Sequence, residues 1–389
     1  MEKQIYLDNS ATSPLSEAAK KMISESMEIY GNPSSLHSLG QRAERMIEDA
    51  REQILRGLGL RPCQKDGVLI FTSCGTEATS TALLGVAYAK ERRTANRILT
   101  TDSEHPSVAR VMERLEKDGF EVVRIPTREG VLDREAVRAA LDQPILLASF
   151  MLVNNETGAI YPVGEVFRMI KQAYPEAVTH CDAVQGFMKL PFTPASLYAD
   201  LITVSAHKVH APKGVGALYI ASSLLKAKKI VPFLYGGGQE NGLRSGTENT
   251  IGIAAFGAAV ADLQLRREEI AAQITAVRDY ATEKLKALGV RINQPREAYL
   301  PNILNVTLPN IKSETMLHAL SADGIFVSSG SACSSHSRHP SDSLLAFGLT
   351  AQEADCSLRI SFSAYNTKED VDALCDSLQK NMERLVRIR

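Results

Sequence analysis

The sequence predicts an α/β protein with a large, mostly parallel-sheet domain and a smaller α+β C-terminal domain. Short β-rich apolar runs alternate with amphipathic helical stretches through the first part of the chain, the pattern of strands joined by helical crossovers. The 389 residues exceed one ordinary compact core, which divides them into two units. The stretch 250–289 reads as almost wholly helical and supplies the connector. The boundary falls near residue 260, giving 15–260 as the large domain and 1–14 with 261–389 as the small one.

Taken in order, 14–30 reads as a helix closed by Gly31, and 41–58 as a second stopped by Gly59. The alternation then begins with strand 68–72, helix 76–90, strand 97–101 and helix 107–118. Strand 121–125 and helix 134–141 follow, and 145–152 is apolar enough for a strand buried on both faces. Helix 163–173 leads to strands 178–181, 201–205 and 216–220. Beyond the connector come strand 302–308, helix 314–323, strand 357–363 and helix 368–384. No internal repeat and no low-complexity linker interrupts this order.

Composition narrows the function. A hydrophobic fraction of 44% with 23% charged residues excludes disorder over most of the chain. Lys and Arg number 44 against 45 Asp and Glu, and the densest basic spot is Lys226, Lys228 and Lys229. Nucleic acid and anionic membrane surfaces are therefore poor partners. The longest apolar runs, 251–261 and 144–153, fall short of the ~20 residues a spanning helix needs. The amino end has no basic region followed by a hydrophobic stretch, so no signal peptide is expected. Cysteines 63, 74, 181, 333, 356 and 375 form no C-x-x-C pair, which fits a reducing cytoplasm.

Open parallel sheets bind ligands beyond the carboxyl ends of their strands. After 68–72, Ser73-Cys74-Gly75-Thr76-Glu77 opens a helix, a place where free N–H groups and the helix dipole hold phosphate. Alone, an N-cap by Ser73 or Thr76 is the simpler account. After 97–101 stands His105 followed by Pro106, a flat ring or proton carrier, or else a plain loop residue. After 145–152, Asn154-Asn155-Glu156-Thr157-Gly158 suits an ordinary turn equally well. Asp182 and Gln185 follow 178–181, where a strand-end acid needs a cation, either a protonated ring nitrogen or a local salt bridge. After 201–205, Ala206-His207-Lys208 places a lysine where burial would free its amine to attack an aldehyde, although most loop lysines are simply exposed.

Each site is weak alone, but their order is not. A phosphate turn, a flat ring, an amide, a carboxylate and a lysine match the groups of pyridoxal phosphate. The chain resembles the cysteine desulfurases of the NifS/IscS kind, within the class V aminotransferase group of fold-type-I pyridoxal phosphate enzymes. The similar segments begin with Ile5-Tyr6-Leu7-Asp8-Asn9-Ser10-Ala11-Thr12 and Gly31-Asn32-Pro33-Ser34-Ser35. They continue through Arg244-Ser245-Gly246-Thr247-Glu248-Asn249 and end at Ser328-Ser329-Gly330-Ser331-Ala332-Cys333 and Leu358-Arg359-Ile360-Ser361.

The resemblance implies that Lys208 carries pyridoxal 5'-phosphate, Asp182 pairs the ring nitrogen and His105 stacks on the ring. Gln185 and Asn155 would lie near the 3′ oxygen. Gly75, Thr76, Ser205 and His207 would hold the phosphate, with Thr247 contributed by the partner subunit of a homodimer. Arg359 would grip the substrate carboxylate with help from Asn155. The alternation of Leu358, Ile360 and Phe362 with Arg359, Ser361 and Ser363 independently turns that arginine off the apolar face, where a planar fork suits a carboxylate. A structural ion pair is the other reading.

Cys333, in a stretch of small polar residues, separates this branch from plain aminotransferases; such a loop is expected to be mobile. Cys333, His336 and His339, spaced three apart, also admit a metal site, which lacks a fourth ligand. The implied reaction converts L-cysteine to L-alanine with sulfur passing to Cys333, and then to a sulfur-acceptor protein, an iron–sulfur scaffold or a tRNA thiolation factor. A selenocysteine lyase, another class V activity and a silent partner-binding relative are the alternatives. Cys74, Gly75, Ala206 and Asn241 depart from the family pattern, the first two at the phosphate turn itself.

Overall fold

A computed structural model describes residues 4–61, 66–89, 95–330 and 340–385. The chain enters through β1 (Ile5–Tyr6), α1 (Glu17–Ser26) and α2 (Ser38–Gly57). The alternating region comprises β2 (Gly67–Thr72), α3 (Gly75–Ala87), β3 (Arg97–Thr101), α4 (Pro106–Lys117), β4 (Glu121–Ile125) and α5 (Arg134–Ala140). It continues with β5 (Ile145–Met151), α6 (Val163–Ala173), β6 (Val178–Asp182), α7 (Pro194–Leu197), β7 (Leu201–Ser205), β8 (Gly216–Ala221) and α8 (Ser222–Lys226). The single helix α9 (Thr250–Ala287) leads to β9 (Arg291–Ile292), β10 (Ile303–Thr307), α10 (Ser313–Ala322) and β11 (Ile325–Phe326). Helices α11 (Asp342–Phe347) and α12 (Ala351–Asp355), strand β12 (Ser357–Ser361) and helix α13 (Lys368–Arg384) complete the described chain.

Seven strands form one sheet in the order β2-β8-β7-β6-β5-β3-β4. Only β8 runs antiparallel within it, so the carboxyl ends of β2, β3, β5, β6 and β7 share one edge. Strands β5, β6 and β7 are buried almost throughout, which is why they read as continuous apolar runs. One face of the sheet packs Phe150, Cys181 and Ile202 with α2, α6 and the first turns of α9. The other packs Ile98, Leu147 and Leu218 with α3 and α4.

A three-stranded antiparallel sheet, β12-β10-β9, packs with α10, α13 and the last turns of α9. Ile5 and Leu7 join this third core, because β1 pairs in parallel with β11 through Ile5↔Ile325 and Tyr6↔Phe326. The 38-residue helix α9 therefore carries Ile253–Val260 in one core and Ile274–Leu285 in another.

Differences from the predicted elements have local causes. The first helix spans only Glu17–Ser26, since Ser16 caps it by accepting from the Ala19 amide and Met27 ends it. Strand β12 stops at Ser361, where the backbone turns to pair with Leu7, leaving Phe362 and Ser363 outside. The two-residue strands β1, β9 and β11 are too short for any periodicity to announce them.

Candidate active site

Five segments at the shared carboxyl edge, together with Arg359 from the small sheet, enclose a cavity of about 190 Å³. Gly75 and Thr76 open α3, His105 precedes α4 and Asn155 follows β5. Asp182 ends β6 with Gln185 just beyond, and Ser205, His207 and Lys208 continue from β7. Ten of the twelve residues singled out from the sequence thus line one cavity. Thr247 is exposed on the loop before α9 and is not among them. Cys333 lies outside the described residues, as do His336 and His339.

The turn after β2 is more open than the sequence reading allowed. Cys74 is the N-cap residue of α3, and no side chain caps the helix, neither Ser73 nor Thr76. Glu77 turns back instead, accepting from the Ser73 amide at 2.8 Å and from the Ser73 hydroxyl, and pairs with Arg244 at 2.6 Å. The amides opening α3 are left free of a side-chain cap, with the helix dipole behind them. Gly216, opposite both Thr72 and Ser205 in register, makes this geometry possible. A Cβ there would stand 2.4 Å from the Cys74 carbonyl carbon. One on Gly75 would meet Ser205 Cβ at 3.3 Å, so the bare glycine keeps space beside the Ser205 hydroxyl.

That hydroxyl is buried and has no hydrogen-bond partner among the described residues, and neither has Asn155 Oδ1. Buried orphan acceptors of this kind cost stability unless a ligand meets them. Asp182 accepts from the Val184 amide at 3.0 Å, and burial pushes its carboxyl up to about 6 against the pull of Lys208. Lys208 Nζ donates to the carbonyls of Ser10 at 2.6 Å and Ala11 at 2.8 Å. Cys181, one residue before Asp182, packs into the core on the opposite face.

His105 accepts at Nδ1 from the Ser107 amide at 3.1 Å, which fixes the neutral ring with its proton on Nε2. Burial, then Lys208 and Arg359, hold it down to about 4, so the ring is uncharged at neutral pH. His207 is held to about 4 in the same way and approaches Thr12 Oγ1 at 3.2 Å.

Arg359 makes the structural ion pair that the sequence left as one reading, and it also lines the cavity. It is fully buried, its Nη2 pairs with Asp8 at 2.9 Å and reaches Ser328 Oγ at 3.2 Å, and its Nη1 donates to the Asn155 carbonyl at 2.9 Å. Only Nε lacks a partner among the described residues. Asp8 and Ser10 were not assigned roles from the sequence; the signal was present as polar Asp8-Asn9-Ser10 directly after apolar Ile5-Tyr6-Leu7. Glu104 was missed as well. It is buried against the Met151 amide at 3.0 Å and Thr101 Oγ1 at 2.7 Å, and burial pushes its carboxyl up to about 8.

Residues 5–374 match the aminotransferase class-V family model, nearly the whole chain. The chain belongs to the class-V aminotransferase family. A relative from Dictyoglomus turgidum, named cysteine desulfurase IscS, is 38% identical over 99% of this chain and 96% of its own. Among solved structures, a NifS-like protein superposes with a TM-score of 0.90 at 37% identity, covering 98% of this chain and all of that one. SspA, solved in complex with cysteine, gives a TM-score of 0.79 at 28% identity over 94% of this chain and 100% of its own. The α/β fold of this family, with its large, mostly parallel sheet, is the fold observed. No helix among the described residues is long and apolar enough to cross a membrane, and no cluster of metal-ligating side chains occurs among them.

Proposed function

We propose that this chain is a pyridoxal-phosphate-dependent cysteine desulfurase acting on L-cysteine. The observation that carries the reading is the convergence of Lys208, Asp182 and Arg359 on one cavity, in a chain whose full-length relatives bear that name. The residues fit the cofactor. Uncapped amides at Gly75 and Thr76 and the orphan Ser205 hydroxyl suit its phosphate, the orphan Asn155 oxygen and Gln185 suit its ring oxygen, and Asp182 suits its ring nitrogen. When bound, pyridoxal phosphate supplies an electrophilic carbon for amines and a ring that accepts electrons from Cα.

The chain's own groups do the rest. A proton held on the ring nitrogen draws Asp182 back to its ionised form, since an opposite charge offsets burial. Arg359 binds the substrate carboxylate, fixing which Cα bond faces Lys208. Lys208, within reach of Ser10 and Ala11 carbonyls that accept from its amine, takes the Cα proton. His105 holds a proton at Nε2 for the substrate sulfur. Cys333 is the acceptor thiol by resemblance: its sulfur forms an S–S bond to the substrate sulfur as the substrate C–S bond breaks. L-cysteine and one thiol give L-alanine and one persulfide, with atoms and electrons balanced.

The working unit is a homodimer in which Thr247 serves the neighbouring phosphate. Thr247 is exposed, and Arg244, three residues earlier, is tied to its own chain's Glu77. The persulfide passes to an acceptor protein in a reducing cytoplasm, consistent with the free thiols Cys74, Cys181, Cys356 and Cys375. Alanine and sulfide formation should be measured with L-cysteine, selenocysteine and keto-acid acceptors, with borohydride fixing the cofactor on Lys208. Cys333→Ala should keep the cysteine-induced spectral change and lose alanine release by orders of magnitude. Label on Lys189 or Lys213, or near-normal turnover in Cys333→Ala with loss in Cys74→Ala, would overturn the reading.

A further inference from the structure

A second cavity, of about 50 Å³, shares Ser10 and Lys208 with the first. Its wall includes Lys189 beyond β6, Leu263, Arg267 and Ile270 on α9, and Phe362 just past β12, with Asn9, Ser13, His210 and Asn302 among its polar groups. Besides Lys208, two cations line it, Lys189 and Arg267, and no Asp or Glu among the described residues does so. Arg267 Nη2 is buried with no hydrogen-bond partner among the described residues. Lys189 Nζ has the Gln185 Oε1 amide oxygen at 3.2 Å, a neutral partner for a charged amine.

Cations that line one half-enclosed space with no acid among its lining residues are costly, and a bound anion relieves that cost. Burial, reinforced by Lys208 and Arg359, holds the Lys189 amine down to about 7, as expected where no anion compensates. Leu263, Ile270, Ile274 and Phe362 give part of the remaining wall an apolar character that water-loving oxyanions do not use.

We propose that this second cavity binds a small carboxylate with a short aliphatic tail, its head held by Lys189 and Arg267. The site communicates with the first through a hydrogen-bonded chain. Lys189 donates to Gln185, Gln185 Nε2 donates to the Ser10 carbonyl at 3.0 Å, and that carbonyl accepts from Lys208 at 2.6 Å. An occupant therefore changes the charge next to Lys189, three hydrogen bonds from Lys208.

The test uses the cofactor-loaded protein and sodium propionate as the probe, titrated calorimetrically at fixed ionic strength against inorganic phosphate and chloride. Because binding is read directly, the outcome is independent of whether the protein is a desulfurase. Propionate should bind saturably, at least tenfold more tightly than phosphate or chloride. Arg267→Gln should weaken it tenfold or more, Arg267→Lys should retain most of it, and Arg359→Gln should leave binding at this site in place. Without propionate, Arg267→Gln should melt no lower than the parent, since it removes an uncompensated cation. Binding that survives Arg267→Gln but disappears in Arg359→Gln would place the probe on the catalytic arginine alone and overturn the proposal. Absence of binding, or equal binding of phosphate and chloride, would overturn it too.

Discussion

At the end of the cofactor cavity formed by Gly75, Thr76 and Ser205, helix amides stand uncapped and a buried hydroxyl stands without a partner among the described residues. At the opposite end, Arg359 is closed by Asp8, Ser328 and the Asn155 carbonyl, and only its Nε is left open. The first end is preorganised at the expense of stability and waits for a ligand. The second is satisfied within the chain, so on the proposed reading a substrate carboxylate would have to exchange with an existing ion pair. Tight, long-lived binding belongs to the first plan and rapid turnover to the second.

The largest effect expected tests the second end. Arg359→Gln should lower kcat/KM for L-cysteine roughly 100-fold or more, about 3 kcal/mol, with the loss mainly in KM. An unchanged KM in steady-state kinetics would show that Asp8, rather than substrate, is the arginine's working partner.

At the first end, Gly216→Ala pushes a Cβ into the backbone of Cys74. Cofactor affinity should fall roughly 30-fold, about 2 kcal/mol, while the KM of enzyme saturated with cofactor changes little. Equilibrium titration of the apoprotein with pyridoxal phosphate measures this, and unaltered affinity would mean that the turn is not preorganised.

Asp8→Asn separates stability from binding. Removing one partner of a mostly buried pair should cost on the order of 2 kcal/mol, seen as a lower melting temperature. L-alanine, which brings a carboxylate, should then raise the melting temperature of the variant more than that of the parent. Equal shifts would refute the exchange of one carboxylate for the other.

A further effect depends on pH. Glu104 titrates near 8 in the folded chain against an ordinary value of 4.5, so the folded state binds its proton more tightly. Its contribution is complete below about pH 4.5 and is lost as pH rises through 8. Glu104→Gln keeps the neutral form, so its advantage over the parent should be small at pH 5 and grow steadily as pH rises through 8. A melting-temperature difference constant across that range would contradict the burial argument.

The same two ends differ in how far the sequence disclosed them. Segments 73–77 and 205–208 are contiguous and follow apolar strands, so chain order already places them at one sheet edge. What was misjudged there is fine geometry: neither Ser73 nor Thr76 caps α3, and Glu77 turns back to Ser73 ahead of the helix. The Asp8–Arg359 pair joins residues 351 positions apart, and no local pattern encodes such a meeting. Alternation turned Arg359 off the apolar face but gave no clue to what it would find. Short elements escaped for a related reason. Strands of two residues and the helices α11 and α12 are specified by partners such as Ile325 or by caps such as Thr350, not by a repeating face.

That separation also has a meaning in time. Ribosomes add about 5–20 residues each second, so roughly 18 to 70 s pass between the synthesis of Asp8 and that of Arg359. For about the last two fifths of that interval the strands of the parallel sheet, with Asp182 and Lys208, have already been made. Ile5 and Leu7, in contrast, have no third core to enter until α10, β11 and β12 have emerged. The first residues made are among the last to dock, and with them the carbonyls of Ser10 and Ala11 that receive the Lys208 amine. A nascent or truncated chain therefore carries Lys208 without the carbonyls that accept from its amine and without Arg359, so on the proposed reading its reactivity would be withheld until translation is nearly complete.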